Sequence, residues 1–197
     1  MKSSVVVALL FVVSMVTCTT HAGVADTSCG ISKGLLFAAS YSPGALSVNG
    51  RSGSAQDFGA VVGYRTGSAL EPWMAFLTGQ HNVPGVAGPL SFGGFAAGAT
   101  VHFLPLAYLQ PLLSVFFDMG TLLDGTGAGY NQAGYRIALG GWLGLSKYFA
   151  VDAQMMYGRD YRTRWIGDAS DVSGTAPQST MSVGGVVMLI FYPEIFP

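Results

Sequence analysis

Between Tyr135 and Asp160 the chain alternates with a period of two. Ile137, Leu139, Gly141, Leu143 and Leu145 form one row, and after a short break Phe149, Val151, Ala153, Met155 and Tyr157 resume it. The other parity carries Arg136, Ser146, Asp152, Gln154 and Asp160. Successive side chains of a strand point to opposite faces, so this pattern predicts a hairpin with one apolar and one mixed polar face. A helix over Ile137 to Gly158 is long enough to cross a membrane, but Lys147 and Asp152 near its middle would each cost about 3 kcal/mol there.

The same parity test predicts further strands. Their apolar rows run through Leu35–Tyr41, Phe58–Tyr64, Trp73–Gly79 (Trp73, Ala75, Leu77), Phe95–Phe103, Leu109–Phe117 and Met181–Phe191. Opposite them stand Asp57, Arg65, Gln80, His102, Gln110 and Asp118. The segments between are rich in turn formers, as in Pro84, Gly85, Gly88 and Pro89. Read this way, eight strands are joined by connections of about 12, 5, 10, 4, 15, 2 and 19 residues, the first being 43–54 and the last 161–179. In an antiparallel meander all the long ones share one end. Short turns at one end and long loops at the other mark an outer-membrane barrel, and strands of about 10 residues match a tilted crossing. Pro111 removes one ladder donor, tolerably, near a strand start.

The expectation is therefore an all-β, eight-stranded, antiparallel up-and-down transmembrane barrel over 33–192, with short periplasmic turns and long extracellular loops. Aromatics would gather in two girdles. Tyr64, Trp73, Phe103, Tyr148, Phe149 and Phe191 fall at the short-turn end, and Tyr41, Phe92, Phe117, Tyr135 and Tyr157 near the long loops. A soluble barrel would leave the apolar row of the 135–160 hairpin as a large patch in water.

Composition agrees. Half of the 197 residues are hydrophobic, 10% are charged and 28 are glycine. The net charge is −1, or about −2 without Lys2, which excludes the basic patch of a nucleic-acid binder. Lys2, the apolar run Val5–Val16 and Thr20-His21-Ala22 read as a signal peptide over 1–22, with Ala25 as a second cleavage site. A short periplasmic segment (23–32) would follow, and a tail (193–197) would close the chain. Cys18 falls in the leader, which leaves Cys29 unpaired.

The segments GGFAAGATVHFLPLAYLQPLLSVFF and RIALGGWLGLSKYFAVDAQMMYG resemble strand–turn–strand units of the OmpA/OmpX-like superfamily of eight-stranded outer-membrane barrels. Ser182, Gly184, Val187 and Leu189 are similar to the assembly signal of such barrels. The resemblance implies outer-membrane lipids, lipopolysaccharide and the assembly machinery as partners, and a monomer. The chain departs from the pattern in ending Phe196-Pro197 rather than on an aromatic.

Candidate chemistry is sparse. Asp57, Arg65, Gln80, His102, Gln110, Asp118, Arg136, Asp152, Gln154 and Asp160 are expected inside, where a barrel this narrow has room for little beyond its own side chains. Buried charges need partners, so Arg136 is expected to pair with Asp118 or Asp152. The same residues would line a narrow porin-like conduit if the lumen were open. Arg162, Arg164 and Trp165 in the last loop are candidates for surface binding, for instance of lipid phosphates. A lipid A-modifying enzyme would need a nucleophile and a base near the outer face, for which His81 with Ser54 or Ser91 is the candidate. Gly125–Gly129 lacks the Lys-Ser/Thr of a phosphate loop. No cofactor or metal is expected, and the reading is of a non-enzymatic barrel with a structural or surface-interaction role.

Overall fold

The structure is a computed structural model that describes residues 34–48, 50–66, 69–84, 88–103, 109–125, 127, 129–146, 148–164 and 178–193. The leader, Cys18, Cys29, Lys147, Trp165 and the residues after Pro193 lie outside the described residues, as does the side chain of Arg164.

Among the described residues eight strands form, β1 (Gly34–Val48), β2 (Arg51–Arg65), β3 (Leu70–Asn82), β4 (Leu90–His102), β5 (Leu109–Leu123), β6 (Gly129–Gly144), β7 (Phe149–Arg164) and β8 (Gln178–Phe191). Each pairs antiparallel with its neighbours in sequence, and β1 closes on β8 into a barrel. Closure leaves no open sheet edge, the condition a strand must meet to lie in hydrocarbon. The 135–160 hairpin has the expected faces: Ile137 stands opposite Tyr157 and Leu139 opposite Met155 on the outside, while Arg136 and Asp160 point inward.

The outer wall is apolar over a band. Phe37, Phe58, Phe76, Phe95, Phe117, Leu139, Met155 and Leu189 are all exposed on it. On β7 the band runs from Phe149 to Tyr157, about nine residues, which matches one tilted crossing.

Two expectations about the strands are corrected. The segment 43–54 is mostly strand: β1 and β2 pair up to Val48 opposite Arg51. Leu46, Val48 and Ala55 give it an inward apolar row that continues the barrel past the outer band. Gly50 takes φ +77, a left-handed conformation that glycine adopts without a Cβ clash, so a two-residue turn suffices. Likewise β5 runs to Leu123 and β6 starts at Gly129, which shortens the expected 120–134 loop.

The second correction concerns β3, whose faces are reversed. Trp73, Ala75 and Leu77 point inward, and Met74, Phe76, Thr78 and Gln80 point outward. An indole needs an acceptor when buried, and Trp73 Nε1 donates to Thr100 Oγ1 at 3.1 Å. Glu71 and His81, on the same parity, find their charged partners only inside. Gln80 is thus exposed on the outer wall and is no part of the lumen. Trp73 and the buried Phe92 leave the girdles, while Tyr41, Tyr64, Phe103, Phe117, Tyr135, Phe149, Tyr157 and Phe191 keep exposed positions on the wall.

Candidate functional site

The barrel interior is stacked in layers that the register fixes. At the end holding the β1–β2, β3–β4, β5–β6 and β7–β8 connections, Leu46, Val48, Ala55, Val83, Leu90, Phe92 and Leu122 pack into an apolar cap. Below it lies a charged layer. Val61, Ala75, Ala96, Phe116 and Ala138 then form an apolar waist, filled further by Trp73, Leu77, Met156 and Met188. A second polar layer follows, and Leu36, Leu112, Trp142, Ala150, Ile190 and Tyr192 close the short-turn end.

The charged layer centres on Arg136. Its Nη2 donates to Asp118 Oδ2 at 2.6 Å and to Asp160 Oδ1 at 2.9 Å, and its Nη1 donates to Ser182 Oγ. Three strands therefore converge on one guanidinium, whose planar fork suits two carboxylates at once. The predicted Asp118 partner is present; Asp160, not Asp152, is the second. Glycine makes the room: a Cβ at Gly134 would collide with carboxylate oxygens of both Asp118 and Asp160.

Arg162 adjoins this group, contrary to its expected place in a surface loop. β7 continues past Asp160 with its parity unbroken, so Arg162 turns inward and is buried. Its Nε donates to Gln132 Oε1 at 2.9 Å, Nη1 bonds Thr180 Oγ1, and Nη2 lies 3.8 Å from Asp160 Oδ2. Two arginines and two aspartates thus offset one another inside the wall, which buried ions require.

His81 and Asp57 complete the layer, with Nε2 and Oδ1 2.9 Å apart. The imidazole is buried and stacks on Phe92 with ring centres 4.9 Å apart. Neither Ser54 nor Ser91 shares its face: Ser54 accepts from Asn82 on the exposed side, and Ser91 is exposed on β4. The sequence candidate for a nucleophile and base is therefore not assembled.

In the second polar layer, Arg65 Nη2 donates to Gln110 Oε1 at 2.9 Å, and its guanidinium carbon sits 5.1 Å from the Trp142 ring centre. Glu71 Oε2 is 3.9 Å from Arg65 Nη1 and 3.5 Å from His102 Nε2, ion-pair distances too long for a good hydrogen bond. Gln154 donates to Asp152 at 2.7 Å, and Thr100 bonds Ser114 at 2.8 Å. Tyr192 accepts from Trp142 Nε1 at 3.2 Å. Sequence reasoning missed Glu71, Trp142 and Tyr192; the inward parity of Gln110 and Asp152 extends to Trp142 and would have found it.

These layers leave little space. A cavity of about 30 Å³ lies among Ser42, Asp57, His81, Arg136 and Ser182, room for about one water. It sits behind the β1–β8 seam, where the ladder is interrupted. Pairing stops at Tyr41 opposite Val187 and resumes in the same register at Gly44 opposite Gly184. Pro43 has no N–H to give, and Ser42 Oγ donates instead to the Gly185 carbonyl at 3.1 Å. Among the described residues no group of three or more His, Cys, Asp or Glu is placed to hold a metal ion.

No protein-family model matches the sequence, and no curated protein matches it. Solved structures do match in fold. Neisserial surface protein A superposes with a TM-score of 0.59 at 15% identity, covering 81% of this chain and 97% of that one. OprG from Pseudomonas aeruginosa gives 0.49 at 10% identity over 84% and 99%. Ail of Yersinia pestis, crystallised with the heparin analogue sucrose octasulfate, gives 0.45 at 12% over 81% and 100%.

Proposed function

We propose that this chain, which has the fold of the eight-stranded outer-membrane barrels, is exported and resides in the outer membrane of a Gram-negative-type envelope. There it acts as a non-enzymatic barrel with a structural or surface-interaction role. The observation that carries this reading is the pairing of an apolar outer wall with a filled lumen. The wall fits hydrocarbon, while the apolar cap, waist and base formed by the described residues interrupt the polar layers of the lumen. Its partners on this reading are the outer-membrane lipids and lipopolysaccharide, with the assembly machinery during insertion, and it works as a monomer.

The end with the β1–β2 and β7–β8 connections faces outward from the cell. Beyond the apolar band β1, β2 and β3 continue with Ser47, Ser52, Gln56, Thr78 and Gln80 on the outer wall, a polar surface suited to water or sugar. Surface interaction then falls to this protruding collar.

Fractionation and refolding test the reading together. The protein should extract from membranes only with detergent, refold into lipid vesicles, and migrate differently on gels before and after heating. The loaded vesicles should not swell in small sugars. Recovery as a soluble periplasmic monomer would overturn the membrane assignment, and swelling would overturn the filled lumen in favour of a narrow conduit.

A further inference from the structure

Arg159 sits on the wrong face of β7 for every ion cluster described above. Inside the strand, Asp152, Gln154, Asp160 and Arg162 share the even parity and point into the lumen. Arg159 is on the odd parity with Phe149, Met155, Tyr157 and Tyr161, and it is exposed on the outer wall. Among the described residues it takes part in no ion pair.

Its surroundings define a level in the wall. Tyr157 and Tyr161 lie two residues to either side, and Tyr135 stands directly opposite on β6. On the other flank Met181 is its partner on β8. All three tyrosines are about half exposed, with relative exposures of 40%, 51% and 43% for Tyr135, Tyr157 and Tyr161. The apolar row from Phe149 to Tyr157 covers about one membrane crossing, so Arg159 falls just past its edge. Amphipathic rings take that position at an interface. A guanidinium there can extend its charged end to the headgroups while its stem lies along the apolar wall.

Among the described residues no ion pair neutralises this charge, and on the membrane reading the phase beside it is lipid. Arginine presents a planar donor fork that matches phosphate oxygens, and phenol hydroxyls can add further donors. From this placement we propose that Arg159, framed by Tyr135, Tyr157 and Tyr161, binds the phosphate of an anionic membrane lipid in the leaflet at the end that holds the β7–β8 connection. The site deepens the membrane reading given above and rests on it. It also moves lipid contact from Arg162, which the lumen absorbs, to a residue three positions earlier.

The test uses the full-length mature barrel refolded in detergent micelles doped with diphosphoryl lipid A, and native mass spectrometry to count retained lipid. The wild type should retain one lipid, and Arg159→Gln should lower apparent affinity about tenfold, the size of one lost charge-assisted contact. Arg159→Lys should recover part of the loss. Arg51→Gln, at the exposed β1–β2 turn, should leave retention unchanged, and excess inorganic phosphate should not displace the lipid. Equal retention by wild type and Arg159→Gln would overturn the site, as would an equal loss in Arg51→Gln or displacement by free phosphate. A protein that never inserts into vesicles would overturn the membrane reading itself, a failure distinct from an inserted barrel that ignores the phosphate.

Discussion

Arg136 donates to Asp118 at 2.6 Å across neighbouring strands, and the same nitrogen reaches Asp160 on the next strand at 2.9 Å. One cation therefore ties β5, β6 and β7 together within the wall. Replacing it by Leu would leave Asp118 buried without its counter-ion and Asp160 with Arg162 alone, 3.8 Å away. Breaking a buried pair in this way costs about 3–5 kcal/mol. Arg136→Leu should markedly lower the temperature at which the folded band converts to the unfolded one on detergent gels. Arg136→Lys should fall between the two, since it keeps the charge and loses the fork. An unchanged midpoint for Arg136→Leu would show that the cluster contributes nothing to holding the barrel.

The reversed face of β3 gives a second test. Gln80 on the outer wall has no lumen role, so Gln80→Leu should shift stability by no more than about 0.5 kcal/mol. Trp73→Ala removes a waist side chain and a buried hydrogen bond, and should cost about 3–5 kcal/mol. Heat-modifiability midpoints of the two variants check both; a large effect at Gln80 with a small one at Trp73 would restore the opposite parity.

At the β1–β8 seam, Ser42 supplies with its side chain the bond that Pro43 cannot. Ser42→Ala should cost about 1 kcal/mol. It should also speed amide hydrogen exchange on both sides of the break, around Gly44 and Gly184. Pro43→Val offers the missing donor and should slow exchange at those amides. Identical exchange in all three proteins would mean the interruption has no energetic weight.

Much of this architecture was legible in the chain, and the exceptions are instructive. The hairpin of β6 and β7 is read correctly because Arg136, Asp152 and Asp160 fix its polar parity. β3 has no such marker between Pro72 and Gly79: Met74 and Phe76 are as apolar as Trp73 and Leu77. Only its flanks, Glu71 and His81, carry the sign of the inward face. The segment 43–54 reads as loop by its Gly, Ser and Asn content, although Asn49-Gly50 is a strong two-residue hairpin signal. Arg162 reads as a loop residue by its polar surroundings, yet its parity with Asp152 and Asp160 places it inside. What sequence could not supply is which of several inward acids meets Arg136, because that depends on strand stagger around the barrel.

Phe116 fills the apolar waist between Ala96, Ala138 and Trp73, whose ring lies 5.1 Å from its own. Phe116→Ser should join the charged layer to the polar layer below while the outer wall stays intact. It should also lower stability, as the loss of a buried aromatic does, by about 3 kcal/mol.

Single-channel recording in planar lipid bilayers tests the filled lumen most directly. The wild-type barrel should insert without resolved conductance steps, and any steps seen with Phe116→Ser should be absent from it. Steady, reproducible steps from the wild-type protein would contradict the account and make the lumen a pore.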